Sequence, residues 1–296
     1  MIRKPDKALQ WQSKTILLLV VPWTVASVIL QTHWWAVQVP VVAWTTLGIS
    51  GIFGLIVWWL KAGTPAAAAT GAAITASLMF AAAQPPYRTS WLHGGLMPLL
   101  ALFLLTFVAT KIGKSKKERL GTGESRRGRN AAQVAANLGV AALTAGLTGI
   151  LIHQQMVSEL LAIAALAEAV ADTVSSEIGQ VFGGTPRMLT TLQRVEPGTD
   201  GGMTLAGTCA GIAAALIVSA IGVFAAYGDF FFSFRCLLSG VLALAGTFGL
   251  LFDSLLGATL ERAGRLNNDA VNFLSTLSAP AFAAVLLTLM FRGTEF

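Results

Sequence analysis

Leu160-Leu-Ala-Ile-Ala-Ala-Leu-Ala-Glu-Ala-Val-Ala-Asp-Thr-Val-Ser-Ser-Glu-Ile-Gly179 begins as membrane hydrocarbon and ends as a polar site. An Ala/Leu helix from Leu160 to Val170 runs into two acids and several hydroxyls. The loop Arg194-Val-Glu-Pro-Gly-Thr-Asp-Gly-Gly202 follows, and then the chain returns to Leu, Ala and Gly. Polar groups at a membrane boundary are costly unless they face water, a metal or each other. The stretch therefore predicts a phosphate and metal site at one end of a helical membrane bundle.

Composition supports that frame. Of 296 residues, 55% are hydrophobic and 11% charged, against about 25% charged in ordinary soluble domains. Mean hydropathy is +0.70. Several apolar runs reach the roughly 20 residues that span hydrocarbon. No period-2 alternation of the β-barrel kind is visible. The expected fold is all-α, a polytopic bundle of about nine transmembrane helices in a single integral membrane domain. The net charge of +6 fits cytosolic anchoring better than a nucleic-acid partner. Cys209 and Cys236 predict neither a disulfide framework nor a metal knuckle. Ile16–Val21 after basic residues resembles a signal peptide, but apolar residues continue to Leu30, which favours an uncleaved first span.

The candidate spans are residues 14–31, 40–60, 65–83, 92–110, 131–150, 155–171, 204–226, 235–252 and 278–292. With the N-terminus in the cytosol, 17 of the 20 Lys and Arg residues fall on the cytosolic side. Arg88, Arg235 and Arg292 fall outside, as the positive-inside bias requires. The same alternation brings every polar cluster to the cytosolic face. All eight tryptophans precede residue 92 and read as an interfacial belt. Residues 1–90 are expected to act as scaffold spans, and residues 91–296 to carry the site.

Four clusters make up that site. In the first, Arg126-Arg127-Gly128-Arg129-Asn130 leads into a helix, where guanidinium forks suit phosphate oxygens and free backbone N–H groups suit an anion. The lysines before it, Lys111 to Lys117, read as solvated anchors. Asn130, Gln133 and Asn137 share a helix face and form either a polar lining or inter-helix hydrogen bonds. In the second cluster, Glu168 and Asp172 lie on one face, and Glu177 converges only if the helix loosens. Mg²⁺ takes one or two carboxylates plus substrate phosphates; pairing of these acids with Arg187 or Arg194 is the alternative. The third, Pro197, Gly198, Thr199, Gly201 and Gly202, can curl N–H groups around an anion, without the Gly-Lys-Ser/Thr of a P-loop. The fourth holds Asp253, Asn268, Asp269 and Asn272, where Asp269 is a second metal ligand or a helix cap. His33, His93 and His153 are too dispersed for a zinc site or triad.

Six stretches, in order, carry a family resemblance: Arg126-Arg-Gly-Arg-Asn-Ala-Ala-Gln-Val134, Ala171-Asp-Thr-Val-Ser-Ser-Glu-Ile-Gly179, Pro197-Gly-Thr-Asp-Gly-Gly202, Gly207-Thr-Cys-Ala-Gly211, Asp253-Ser-Leu-Leu-Gly-Ala-Thr259 and Asn268-Asp-Ala-Val-Asn272. Over residues 95–292 the chain resembles the membrane family that includes transmembrane protein nineteen and the chloroplast phytyl-phosphate kinase. More distantly it is similar to CTP-dependent phytol and dolichol kinases. It departs at Val174-Ser175, where the family usually shows Trp-Ala, at Glu261, usually Gln, and in the short link from Glu261 to Asn268.

The resemblance implies a kinase that converts a prenyl monophosphate to its diphosphate, as in tocopherol and quinone salvage, with CTP as the favoured donor. Asp172 and Asp253 would carry catalysis through Mg²⁺, with Glu177 or Asp269 assisting. Arg126, Arg127 and Arg129 would hold phosphates, the Gly198–Gly202 loop would cradle the transferred group, and Asn130, Asn137, Asn268 and Asn272 would line the nucleotide. A cytidylyltransferase making a CDP-lipid would use the same groups. A non-enzymatic isoprenoid transporter is the third reading.

Overall fold

The computed structural model describes residues 10–83, 87, 90–122, 128–148 and 155–292. It is helical almost throughout: α1 (Gln10–Gln38), α2 (Pro40–Trp59), α3 (Pro65–Ala81), α4 (Ser90–Lys111), the short α5 (Lys114–Leu120), α6 (Ala131–Leu143), α7 (Gln155–Phe182), α8 (Leu205–Ala226), α9 (Phe232–Leu256) and α10 (Asn268–Met290). Single π turns prolong α6 over Thr144–Thr148 and α9 over Gly257–Glu261. Helices stand at all nine expected spans. Six of them meet the length and hydropathy needed to cross a bilayer, and α3 and α6 are shorter apolar helices. The chain is a polytopic helical membrane protein.

The two largest differences from the expected boundaries are in α7 and α10. Helix α7 continues to Phe182 instead of ending near residue 171, because Asp172 to Gly179 present their polar groups sideways into a cavity and need no break in the helix. Helix α10 starts at Asn268, ten residues before the expected span at 278, because the Asn267 side chain accepts from Ala270 N at 2.9 Å and caps it there.

Helix α7 is the axle of the bundle. Its Ala-rich faces are buried from Leu160 to Val174, and α8 and α9 approach it through glycines. A Cβ at Gly207 would lie 2.5 Å from Ser175 O, and one at Gly211 2.7 Å from Ala171 O. At Gly246 it would lie 2.9 Å from Ala167 C. Small residues are what allow membrane helices to pack backbone to backbone, where lipid supplies no hydrophobic drive. The apolar core follows this axle, with Leu166, Val170 and Val218 at one level and Leu160, Leu238 and Leu242 at another.

The belt reading of the tryptophans needs one correction. Trp35 is buried and packs edge-on against Trp34 and Tyr87, at ring separations of 4.5 and 5.2 Å. Trp11, Trp23, Trp34, Trp44, Trp58 and Trp59 are exposed on the outer surface.

The connections that carry the polar clusters meet at one end of the bundle. The α2–α3 turn pairs with the α6 entry through Thr64 N to Arg129 O at 2.9 Å and Arg129 N to Ala62 O at 3.0 Å. The start of α1 holds the α9–α10 link, with Gln12 donating to Arg265 O at 2.9 Å and accepting from Asn267 N at 2.8 Å. The α7–α8 connection folds into a small antiparallel ladder, Arg187 opposite Met203 and Met188 opposite Gly202. Met188 is buried beneath it.

Candidate active site

A polar cavity of about 500 Å³ opens where these connections meet. Helix α7 supplies Asp172, Ser176 and Glu177 to it, α9 supplies Asp253, and α10 supplies Asn268 and Asn272. The wall is completed by Arg129, by Gln133 and Asn137 on α6, and by the loop from Pro197 to Gly202. Residues from five separate segments, spread over more than a hundred positions, thus share one chamber.

Its floor is acidic. Asp253 lies near the carboxyl groups of Asp172, Glu168 and Glu261. Glu168, one turn below Asp172, is 1% exposed, and its Oε2 accepts from Thr276 Oγ1 at 2.6 Å. Asp253 Oδ2 and Glu168 Oε1 are buried without a hydrogen-bond partner. Buried carboxylate oxygens normally find donors, and these two, side by side, could accept a proton or a cation. Among the described residues no three His, Cys, Asp or Glu side chains converge as a metal cage. Two carboxylates with open positions suit Mg²⁺, which retains water and substrate oxygens, and do not suit a closed structural zinc.

Arg129 stands opposite, within charge–charge reach of Asp172. The sequence folds that way because Gly128 adopts φ +71°, and a Cβ there would lie 2.6 Å from Lys61 O and Ala62 C. The two backbone hydrogen bonds across this contact fix Arg129 before its side chain contributes anything. Gly128→Ala is expected to loosen this strap and destabilise the protein by about 1–2 kcal/mol or more from left-handed strain, with the contact to Lys61 O and Ala62 C adding to it. Thermal melts of the solubilised variant measure it.

Not every expected residue reaches the chamber. Asn130 forms a capping box with Gln133, accepting from Gln133 N at 3.0 Å while its own N–H donates to Gln133 Oε1 at 2.9 Å. It starts α6 and does not line the cavity. Asp269 turns away to α1, where its Oδ2 accepts from Ser13 Oγ at 2.6 Å. The helix cap is Asn267, and Asp269 sits in the first turn, where a carboxylate favours the helix dipole. Arg126 and Arg127 lie outside the described residues, as does His153.

Glu177 lines the cavity without any loosening of α7, but its carboxylate is already engaged. Its Oε2 accepts from Lys117 Nζ, and Thr110 Oγ1 lies 3.4 Å from Oε1. Lys117 is accordingly no solvated anchor: it is 2% exposed and also donates to Ala109 O and Thr110 O, at 2.9 and 3.0 Å. Sequence gave no cue for this partner, sixty positions away in a lysine run. Lys117→Met is expected to destabilise the protein by roughly 3 kcal/mol, because it strands a half-buried carboxylate. Adding Glu177→Gln should recover most of that, measured by thermal melts of the solubilised protein.

The glycine loop reaches the cavity, with left-handed backbone at Gly198 (φ +85°) and Gly201 (φ +75°). Thr199 N and Gly202 N are consumed within the loop, donating to Glu196 O and Thr199 O. An anion at this loop would therefore have to use its other amides. A Cβ at Gly201 would lie 2.3 Å from Ala258 N, so the loop rests directly on the π turn that follows Asp253. Such turns often mark functional positions in helices, and nothing in the residue pattern announced this one. Asn137 and Asn272 close the far wall, with Asn272 Nδ2 3.5 Å from Asn137 Oδ1. Thr122, Thr173 and Gln180 also line the cavity; of these only Thr173 lies within a sequence motif.

Comparison with known proteins matches residues 48–280 to the family described as integral membrane protein DUF92. The chain is 35% identical over 182 residues to an uncharacterized membrane protein of Methanocaldococcus jannaschii, covering 62% of this chain and 71% of that protein. It is 30% identical over 200 residues to the chloroplastic protein VTE6 of Arabidopsis thaliana, covering 65% of this chain and 58% of that one. Protein PGR of the same plant is 34% identical over 186 residues, covering 56% and 64%. No solved structure matches. With more than half its length matched, the chain belongs to the integral membrane protein DUF92 family.

Proposed function

We propose that this protein is a phosphotransferase that moves a phosphoryl group from a nucleoside triphosphate, CTP in the first instance, to the monophosphate of a membrane-embedded isoprenoid alcohol, giving the diphosphate. The carrying observation is the pairing of Asp172 and Asp253, with an unmatched buried oxygen on Asp253, beneath Arg129 and a glycine loop in one polar chamber. The motif resemblance to the family that includes a phytyl-phosphate kinase points the same way.

Phosphoryl transfer asks a protein mainly for in-line positioning and charge neutralisation. Asp172 and Asp253 would hold Mg²⁺, which when bound supplies positive charge to the triphosphate oxygens. Arg129 binds a phosphate by its guanidinium fork, and its anchored backbone orients it. At Gly198 and Gly201 themselves the backbone carries no side chain, so a phosphate could approach it there. Asn137, Asn268 and Asn272 offer amides to the nucleotide. The acceptor already carries an ionised phosphate oxygen, so these residues need supply no strong general base. The chamber would face the cytosol, the side that the Lys and Arg bias supports and where the nucleotide is found.

Product mass spectrometry tests the reading. Purified protein in nanodiscs, given phytyl monophosphate, CTP and Mg²⁺, should form phytyl diphosphate. Asp172→Asn should lower the rate by about 10²-fold or more. Full turnover in that variant would remove Asp172 from the machinery. Movement of the lipid between leaflets without nucleotide, and without product, would replace the enzyme by a transporter.

A further inference from the structure

Beside the polar chamber runs a second, narrow groove of about 90 Å³ between α2, α3, α4 and α6. Its walls are Phe53 and Val57 on α2, Gly71 on α3, Leu99 and Phe103 on α4, and Leu138 on α6. Lys61, Lys111 and Arg129 stand at its rim. Arg129 lines both this groove and the polar chamber. From Lys111 to Leu99 the groove follows α4 for roughly 18 Å, close to one leaflet of a hydrocarbon core about 30 Å thick.

We infer that this groove holds the hydrocarbon tail of a single-chain isoprenoid phosphate, with its headgroup drawn over Arg129 into the polar chamber. The inference rests on the phosphotransferase reading for the headgroup's fate, and on the structure for the tail's place. Three observations carry it. The walls are apolar, while the rim gathers three cations, as an anionic headgroup on a hydrocarbon chain requires. Lys111 Nζ sits 5.1 Å over the Phe107 ring, which keeps a cation at the boundary between hydrocarbon and phosphate. Arg129 is held between the two spaces by its backbone pairing with Ala62 and Thr64, so one guanidinium separates the tail compartment from the reacting phosphates. At about 90 Å³ the groove takes only the segment of one chain nearest the headgroup, leaving the rest of the tail to the bilayer, and has no room for the paired chains of a phospholipid.

Gly71 provides the means of testing it. No atom lies within 4 Å of where its Cβ would be, so a large side chain there enters the groove without striking backbone. The probe is a geranylgeranyl monophosphate bearing a diazirine mid-tail, photolysed with the full-length protein in nanodiscs, and crosslinks are mapped by peptide mass spectrometry. Crosslinks are expected on α3 and α4 near Gly71 and Phe103, and to fall at least about tenfold in Gly71→Phe, as a steric block predicts. The same variant should raise KM for geranylgeranyl monophosphate about tenfold while leaving dimethylallyl monophosphate and nucleotide within about twofold. Crosslinks elsewhere, with turnover intact, overturn the groove and leave the phosphotransferase standing. Crosslinks in the groove without phosphoryl transfer sustain the groove and reject the phosphotransferase. Displacement of the probe by phosphatidic acid as readily as by unlabelled prenyl phosphate overturns the single-chain assignment. If Gly71→Phe fails to fold, the wild-type crosslink map decides alone.

Discussion

Asp253→Asn should cost roughly 10³-fold in turnover and at the same time raise the melting temperature of the ligand-free protein. The two effects share one cause. Asp253 lies close to the carboxyl groups of Asp172, Glu168 and Glu261, and one of its oxygens is buried without a partner. An amide of the same shape can donate to the neighbouring buried carboxyl oxygens in the resting protein, and it removes the group that would hold a cation against the triphosphate. Sites of this kind trade stability for function. Thermal melts with and without Mg²⁺ separate the contributions: the wild type should gain stability from the ion and the variant should not. A variant that melts lower and keeps its activity would identify Asp253 as a structural residue.

The second large effect is expected at Gly201. Its φ of +75° is unfavourable for a side chain, and a Cβ would meet Ala258 N at 2.3 Å and Ala258 Cα at 2.6 Å. Gly257 answers from the other side, since a Cβ there would lie 2.8 Å from Gly201 N. Gly201→Ala must therefore push the loop off the π turn that follows Asp253. Misplacement of about 1 Å in positioning groups can cost around 10²-fold in rate, and kcat should fall by that order. Gly184→Ala is the control. Its φ is +67°, but nothing lies within 4 Å of the added Cβ, so it carries only left-handed strain of about 1–2 kcal/mol. Comparable kinetic loss in both variants would mean that strain, and not contact with the π turn, sets the effect.

Sequence reveals what lies on one helix or in one loop. The apolar runs locate the helices, and the acids of α7, the loop glycines and Asp253 all announce themselves by type and spacing. Their gathering at one end follows from span alternation, because consecutive crossings return these connections to the same side. Partnerships across the bundle are different, since they depend on which helices become neighbours. Lys117 belongs to a run that resembles solvated anchors, and only the packing of α5 beside α7 brings it to Glu177. Asp269 has a ligand's chemistry, but α1 stands beside it and offers Ser13. Asn130 matches a phosphate motif, yet helix α6 needs a cap and uses it. Pattern gives no sign of the strap between Lys61–Thr64 and Gly128–Arg129, because its bonds are backbone to backbone and carry no side-chain identity.

Position-labelled nucleotide tests the central claim most directly. Purified protein would be incubated with prenyl monophosphate, Mg²⁺ and CTP labelled at either the α or the γ phosphorus, and the lipid product extracted. Transfer from the γ position alone, into a lipid diphosphate, is the predicted result. Label entering the lipid only from the α position would make the protein a cytidylyltransferase, and no label from either position would contradict phosphotransfer altogether.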